Sequence, residues 1–173
     1  MMKKILLLLA AALLLPVVAI AQNAVPAYIV DSKGPMTNIR TAPRANAKVA
    51  MTLPTDKGSY EVLLCKVKNG WWKIEESIYE AEENQEIKLH GSKTGYWIHS
   101  SIVAFGVAGE QENFLRTKPS NKAKRVKVSH TGSILLHPLA VSGKWVKVVT
   151  DDGRYTGWMF IDRICSNSLT TCP

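Results

Sequence analysis

A chain of 173 residues has room for one ordinary domain or two very small ones and excludes anything larger. Its 22 Lys and Arg outnumber 14 Asp and Glu, giving a formal net charge of +8, and no Cys or His pair stands at metal-ligand spacing, so neither a metal nor another cofactor is expected. A moderate positive charge suits an anionic polymer or lipid headgroups, and a surface kept soluble by its charge accounts for it equally; nucleic acid is not an expected partner.

At the N-terminus, Lys3 and Lys4 precede an uninterrupted apolar run from Ile5 to Ile20 that ends in Ala19-Ile20-Ala21. This is the pattern of a secretory signal peptide over residues 1–21, cut after Ala21. The run is about 16 residues, short of the roughly 20 that span a bilayer, and no Cys stands at the cut to take a lipid anchor. The expected mature chain is therefore exported to the periplasm or the cell exterior and does not span the membrane. Its charge is uneven: residues 22–108 hold 10 basic and 9 acidic side chains, whereas 109–173 hold 10 and 5.

After the cut, Val25 to Asp31 reads as a short strand, followed by a turn at Ser32-Lys33-Gly34-Pro35. Asn38-Ile39-Arg40-Thr41-Ala42-Pro43 is a short strand leaving into a loop, and Tyr60 to Lys68 is a long strand rich in β-branched and aromatic residues. Asn69-Gly70 is a tight hairpin turn, since both residues tolerate positive φ, and Trp71 to Glu75 returns as the partner strand. Between about 75 and 94 the chain turns acidic, with Glu75, Glu76, Glu80, Glu82, Glu83 and Glu86 close together. A hairpin turning near Glu83-Asn84-Gln85 is expected there over a short helix through Tyr79 to Glu86, because Ile74, Ile78, Ile87 and Leu89 sit well in flanking strands. Gly95-Tyr96-Trp97-Ile98 begins another strand.

The pattern then returns. Phe114-Leu115-Arg116-Thr117-Lys118-Pro119 matches 38–43 at an offset of 76, and Trp145 matches Trp71 at 74. Gly157-Trp158-Met159-Phe160 matches Gly95-Tyr96-Trp97-Ile98 at 62, so the first copy carries an insertion of about 12 residues in its acidic segment, a surface loop of the kind that often carries function. About five short strands per copy, punctuated by Gly, Pro and Asn, point to an all-β protein made of two small barrels in tandem.

Asn-Ile-Arg-x-x-Pro at 38–43, Gly-Trp-Trp-Lys-Ile at 70–74 and Gly-Tyr-Trp-Ile at 95–98, in that order and repeated with Leu115-Arg116, Trp145 and Gly157-Trp158, resemble the bacterial Src-homology-3 (SH3b) domain. The resemblance implies a first SH3-like domain over 25–105 with its acidic hairpin or loop inserted, and a second over 106–173. It also implies a compact barrel used for binding, commonly to peptidoglycan or its stem peptides and often beside a wall hydrolase. Such hydrolases need a paired Cys and His. Here Cys65 lies mid-strand and His90, His99, His130 and His137 are scattered, so no catalytic residue is assigned and the chain is expected not to be an enzyme.

Alternation places Trp71 and Trp145 opposite Ile74 and Val148, making them the candidate ligand contacts, with burial against a loop as the competing role. Arg40 and Arg116 share one position in both copies, where a guanidinium either holds a loop through carbonyl bonds or pairs with a ligand carboxylate. Tyr96 and Trp158 are expected to pack inside, and the basic run Lys118, Lys122, Lys124, Arg125 and Lys127 is read as a solvated face or as a site for an anionic polymer. Cys165 and Cys172 enclose a short polar tail and are expected to be bonded, leaving Cys65 as a buried thiol or as a link between copies. The expected partner is peptidoglycan, an anionic wall polymer, or else an envelope protein that the chain scaffolds.

Overall fold

A computed structural model of the chain describes residues 24–56, 58–107, 114–128, 134–166 and 169. The expected signal peptide and Cys172 lie outside them. Among the described residues the fold is all-β, with sixteen strands, two short 3₁₀ turns and no α-helix. No helix among them is long and apolar enough to cross a membrane.

Nine strands belong to the first half: β1 (Val25–Ile29), β2 (Met36–Arg40), β3 (Val49–Pro54), β4 (Tyr60–Lys68), β5 (Trp71–Ile74), β6 (Ser77–Glu80), β7 (Gln85–Lys88), β8 (Tyr96–His99) and β9 (Val103–Ala104). They form one sheet in the order β3-β2-β8-β5-β4-β1-β9, onto which β6 and β7 add beside β4. In the second half, β11 (Phe114–Arg116), β12 (Arg125–Lys127), β13 (Leu136–Ser142), β14 (Trp145–Thr150) and β15 (Thr156–Phe160) pair in the order β12-β11-β15-β14-β13. The remaining pair is β10 (Gly106–Val107) with β16 (Ile164–Cys165). Among the described residues the ladders leave both larger sheets open and close neither into a barrel.

Local chemistry accounts for the turns. Asn69 and Gly70 have φ of 51° and 79°, so the tight hairpin joining β4 to β5 is made as expected. The acidic segment is the expected hairpin, with β6 and β7 paired from Ser77↔Lys88 to Glu80↔Gln85. Its turn is held from within: the buried Glu80 carboxylate accepts the backbone N–H groups of Glu82 and Glu83 at 3.2 and 2.8 Å, and Asn84 takes φ of 54°. The alternating apolar residues Ile74, Ile78 and Leu89 face the core, where the helix reading would have scattered them.

The repeat is visible in the ladders and corrects one register. Arg40 pairs with Trp97 and Arg116 with Trp158, while Lys73 faces Trp97 and Lys147 faces Trp158. Trp158 is therefore the counterpart of Trp97, not of Tyr96, and the offset is 61. The two glycines that suggested 62 do different things. Gly95 sits in a left-handed turn at φ of 97° beneath the Lys73 stem. Gly157 is a ladder residue whose Cβ would stand 2.6 Å from Leu115 Cβ and 2.9 Å from the Arg116 carbonyl. A bulge recurs as well: the pairing slips at Cys65 between Leu64 and Lys66, and at Leu139 between Pro138 and Ala140.

The halves meet through buried contacts. β9 runs on through Phe105, whose backbone exchanges hydrogen bonds of 3.1 and 3.0 Å with Leu136, and Val103 offers its carbonyl to His137 Nδ1 at 2.9 Å. Trp72, with 0% exposure, donates its indole N–H to the Pro138 carbonyl at 2.9 Å. One apolar cluster contains Val25, Ile39, Trp72 and Phe105 together with Leu115, Leu136, Val146 and Met159.

Trp72→Phe removes the donor and part of the ring, leaving the Pro138 carbonyl unpaired beside a small cavity. The expected loss is roughly 2 to 4 kcal/mol in urea unfolding, with both halves still melting in one transition. An unchanged midpoint would remove Trp72 from its role as the joint.

Candidate functional site

The outward face of each half is set by strand alternation. On β14 and β15, Val146, Val148, Gly157 and Met159 point inward, which leaves Trp145, Lys147, Trp158 and Phe160 on the other face, beside Arg116 and Phe114 of β11. A cleft of about 500 Å³ opens on this face, lined by Phe114, Arg116, Asn121, Arg125, Trp145, Trp158, Met159, Phe160 and Arg163. Two of the four expected ligand contacts, Arg116 and Trp145, thus meet at one site. Arg40 and Trp71 hold the equivalent positions in the first half, beside Asn38, Lys73, Trp97 and His99.

Each expected residue has a defined local role. Trp145 is 9% exposed and stacks on Phe160 with centroids 4.0 Å apart at 28°, so it presents an edge of a fixed aromatic pair rather than a free ring. Trp71 is half-buried and meets the His99 ring edge-on at 5.1 Å and 72°. Arg40 and Arg116 each donate from one terminal guanidinium nitrogen to the carbonyls of Ala47 and Ala123, both at 2.8 Å. Around them the two loops repeat bond for bond: Thr41 to Lys48 and Thr117 to Lys124, Arg44 to Ala42 and Ser120 to Lys118, Ala47 to Arg44 and Ala123 to Ser120. The recurring arginine holds its loop. Only the donors of Arg116 not spent on Ala123 can face the cleft.

Four lining residues escaped the sequence. Trp158, expected inside with Tyr96, is half-buried and lines the cleft because of the register change, whereas Tyr96 is buried. Phe114 and Arg125 were legible only as departures of the second copy from Asn38 and Val49, and Arg163 as a departure from Ile102. Arg125 belongs to the run read as a solvated face or as a site for an anionic polymer.

Neither described cysteine, Cys65 nor Cys165, carries a site. Cys65 is a free thiol, half-buried at the bulge, and burial followed by the nearby Glu75 pushes it above its ordinary value, away from the reactive thiolate. Cys165 is disulfide-bonded, and its expected partner Cys172 lies outside the described residues. No group of three or more His, Cys, Asp or Glu among the described residues could hold a metal ion.

No family model matches the chain, and no curated protein does. Among solved structures, NlpC2 from Trichomonas vaginalis aligns with 84% of the chain at 11% identity and a TM-score of 0.31, the match covering 49% of that structure. The chain thus spans about half of its length, and a likeness this distant assigns neither fold nor activity.

His99 carries a pH dependence. Its Nδ1 accepts from the Ser101 backbone N–H at 3.3 Å and lies 2.8 Å from Ser101 Oγ, so the ring proton resides on Nε2. Burial, then the nearby Lys33, holds the ring below its ordinary value of 6.5. The unfolded chain takes up this proton first, so the stability His99 confers is present above 6.5 and is lost as pH falls through the folded value. Urea midpoints of wild type should therefore drop more between neutral and mildly acidic pH than those of His99→Gln; equal drops would contradict this.

Proposed function

We propose that the chain is a non-enzymatic binding protein of the cell envelope, exported after cleavage near Ala21 and built as two SH3b-like modules over 25–105 and 106–173, the first carrying the acidic hairpin. Its ligand is peptidoglycan or a wall-derived peptide or glycan, seated in the cleft of the second half. The observation that carries the reading is that cleft: a walled, mixed aromatic and basic surface on the outward face, where sugar rings or peptide side chains can pack on Trp145, Trp158 and Phe160 while guanidinium groups meet carboxylates. Wall material offers both chemistries.

A scaffolding role is the second reading, and the β6–β7 hairpin favours it. That hairpin extends the first sheet outward and shows solvent Glu82, Glu83 and Glu86, with Tyr79 39% exposed. A second cleft of about 280 Å³ at its base is lined by Glu61, Leu63, Glu75 and Tyr79 among others.

Sedimentation with purified peptidoglycan separates the two. The protein should cosediment, and Trp158→Ala should weaken binding about tenfold, as loss of a central aromatic contact does, while Trp71→Ala changes it less than about twofold. Binding that survives both Trp158→Ala and Trp145→Ala would reject the cleft. No binding by the folded wild type would favour scaffolding.

A further inference from the structure

Three guanidinium groups converge on one ring. The Arg125 Cζ lies 4.2 Å from the Phe114 centroid, that of Arg116 5.3 Å and that of Arg163 5.4 Å. They come from three elements: the edge strand β12, its neighbour β11, and the 3₁₀ turn Ile161–Arg163 that follows β15. This gathers three positive charges within roughly 10 Å, a screening length at moderate salt, where like charges repel. The ring face offsets part of that cost by cation–π attraction.

Among the described residues no acid answers them. The ion pairs among the described residues are His137–Asp151 and Arg154–Asp152, both elsewhere, and no described carboxylate lines the cleft. Arg116 has a structural reason to be present, in its bond to Ala123. Arg125 is exposed and Arg163 half-buried, and neither donates a hydrogen bond to a described residue. The repeat supplies an internal control, because the first half builds the same loop and the same 3₁₀ turn with Val49 and Ile102 at these positions. The fold therefore does not require the two arginines.

We propose that the second-half cleft grips an oxyanion carried on a sugar ring. Arg125 and Arg163 donate to the oxyanion, Trp158 and the Trp145–Phe160 stack pack against the ring, and the first half lacks this grip. The proposal rests on the reading of this cleft as the ligand site and adds the chemical class of what enters it. A free lactyl carboxylate, as on wall glycan stripped of its stem peptide, and a sugar phosphate share that chemistry.

The test titrates the whole chain with N-acetylmuramic acid, N-acetylglucosamine 1-phosphate and neutral N-acetylglucosamine, following tryptophan fluorescence and heat. At least one acid should bind about tenfold more tightly than the neutral sugar at low salt, with the preference shrinking as salt rises. Which acid is preferred identifies the source of the anion. Arg125→Gln with Arg163→Gln, shown by circular dichroism to be folded, should abolish the preference. Equal binding of acids and neutral sugar, or a preference that persists in the double variant, would overturn the oxyanion grip while leaving the cleft as a ligand site. If none of the three sugars binds the folded protein, or a short oligothymidylate displaces them all, the cleft reading fails and the proposal with it.

Discussion

The hydrogen bond from the Trp72 indole to the Pro138 carbonyl links residues 66 apart in sequence and lies wholly buried. A small β module of this length buries too little apolar surface to be more than marginally stable alone. Here each half instead contributes to one apolar cluster, with Trp72 and Phe105 of the first half against Leu136 and Val146 of the second. A buried indole N–H without a partner is costly, so the bond fixes where the rings can sit as well as how strongly they pack. Position 146, the counterpart of Trp72, is a fully buried valine.

Fixing the joint leaves the opposite faces free to diverge. Both halves keep the arginine that staples its loop, and both keep an aromatic contact at the end of the hairpin, Trp71 with His99 and Trp145 with Phe160. Around that shared frame the second half replaces Asn38, Val49 and Ile102 by Phe114, Arg125 and Arg163. The first half keeps a plainer face and spends its extra residues on the acidic hairpin. One copy has become a basic aromatic cleft and the other an acidic, edge-extending platform, which matches the charge asymmetry already visible in the chain.

The features legible from sequence were those with one physical cause per residue type. Positive φ at Asn69 and Gly70, inward alternation of Ile74 and Ile78, and the recurrence of Arg40 and Arg116 each led to the observed geometry. Glycine misled because it has two uses: Gly95 serves a left-handed turn and Gly157 a close strand approach, and aligning them displaced Trp158 onto the wrong face. Trp72 was opaque for another reason, since its hydrogen-bond partner lies in the other copy. The arginine cluster was opaque because its members are far apart in sequence and meet only when β11, β12 and the last 3₁₀ turn are brought to one ring. Whether a tryptophan is exposed also could not be read from alternation alone, as the half-buried Trp71 and nearly closed Trp145 illustrate.

If the two halves are one cooperative unit locked at this joint, the Trp72 indole proton can exchange with solvent only when the whole protein opens. Hydrogen exchange of that single proton, followed by NMR under native conditions, is the most direct measurement. Protection equal to the global unfolding free energy is the expected result. Rapid exchange, with the core amides of β4 and β14 still protected, would show that the halves part without unfolding and that Trp72 does not join them.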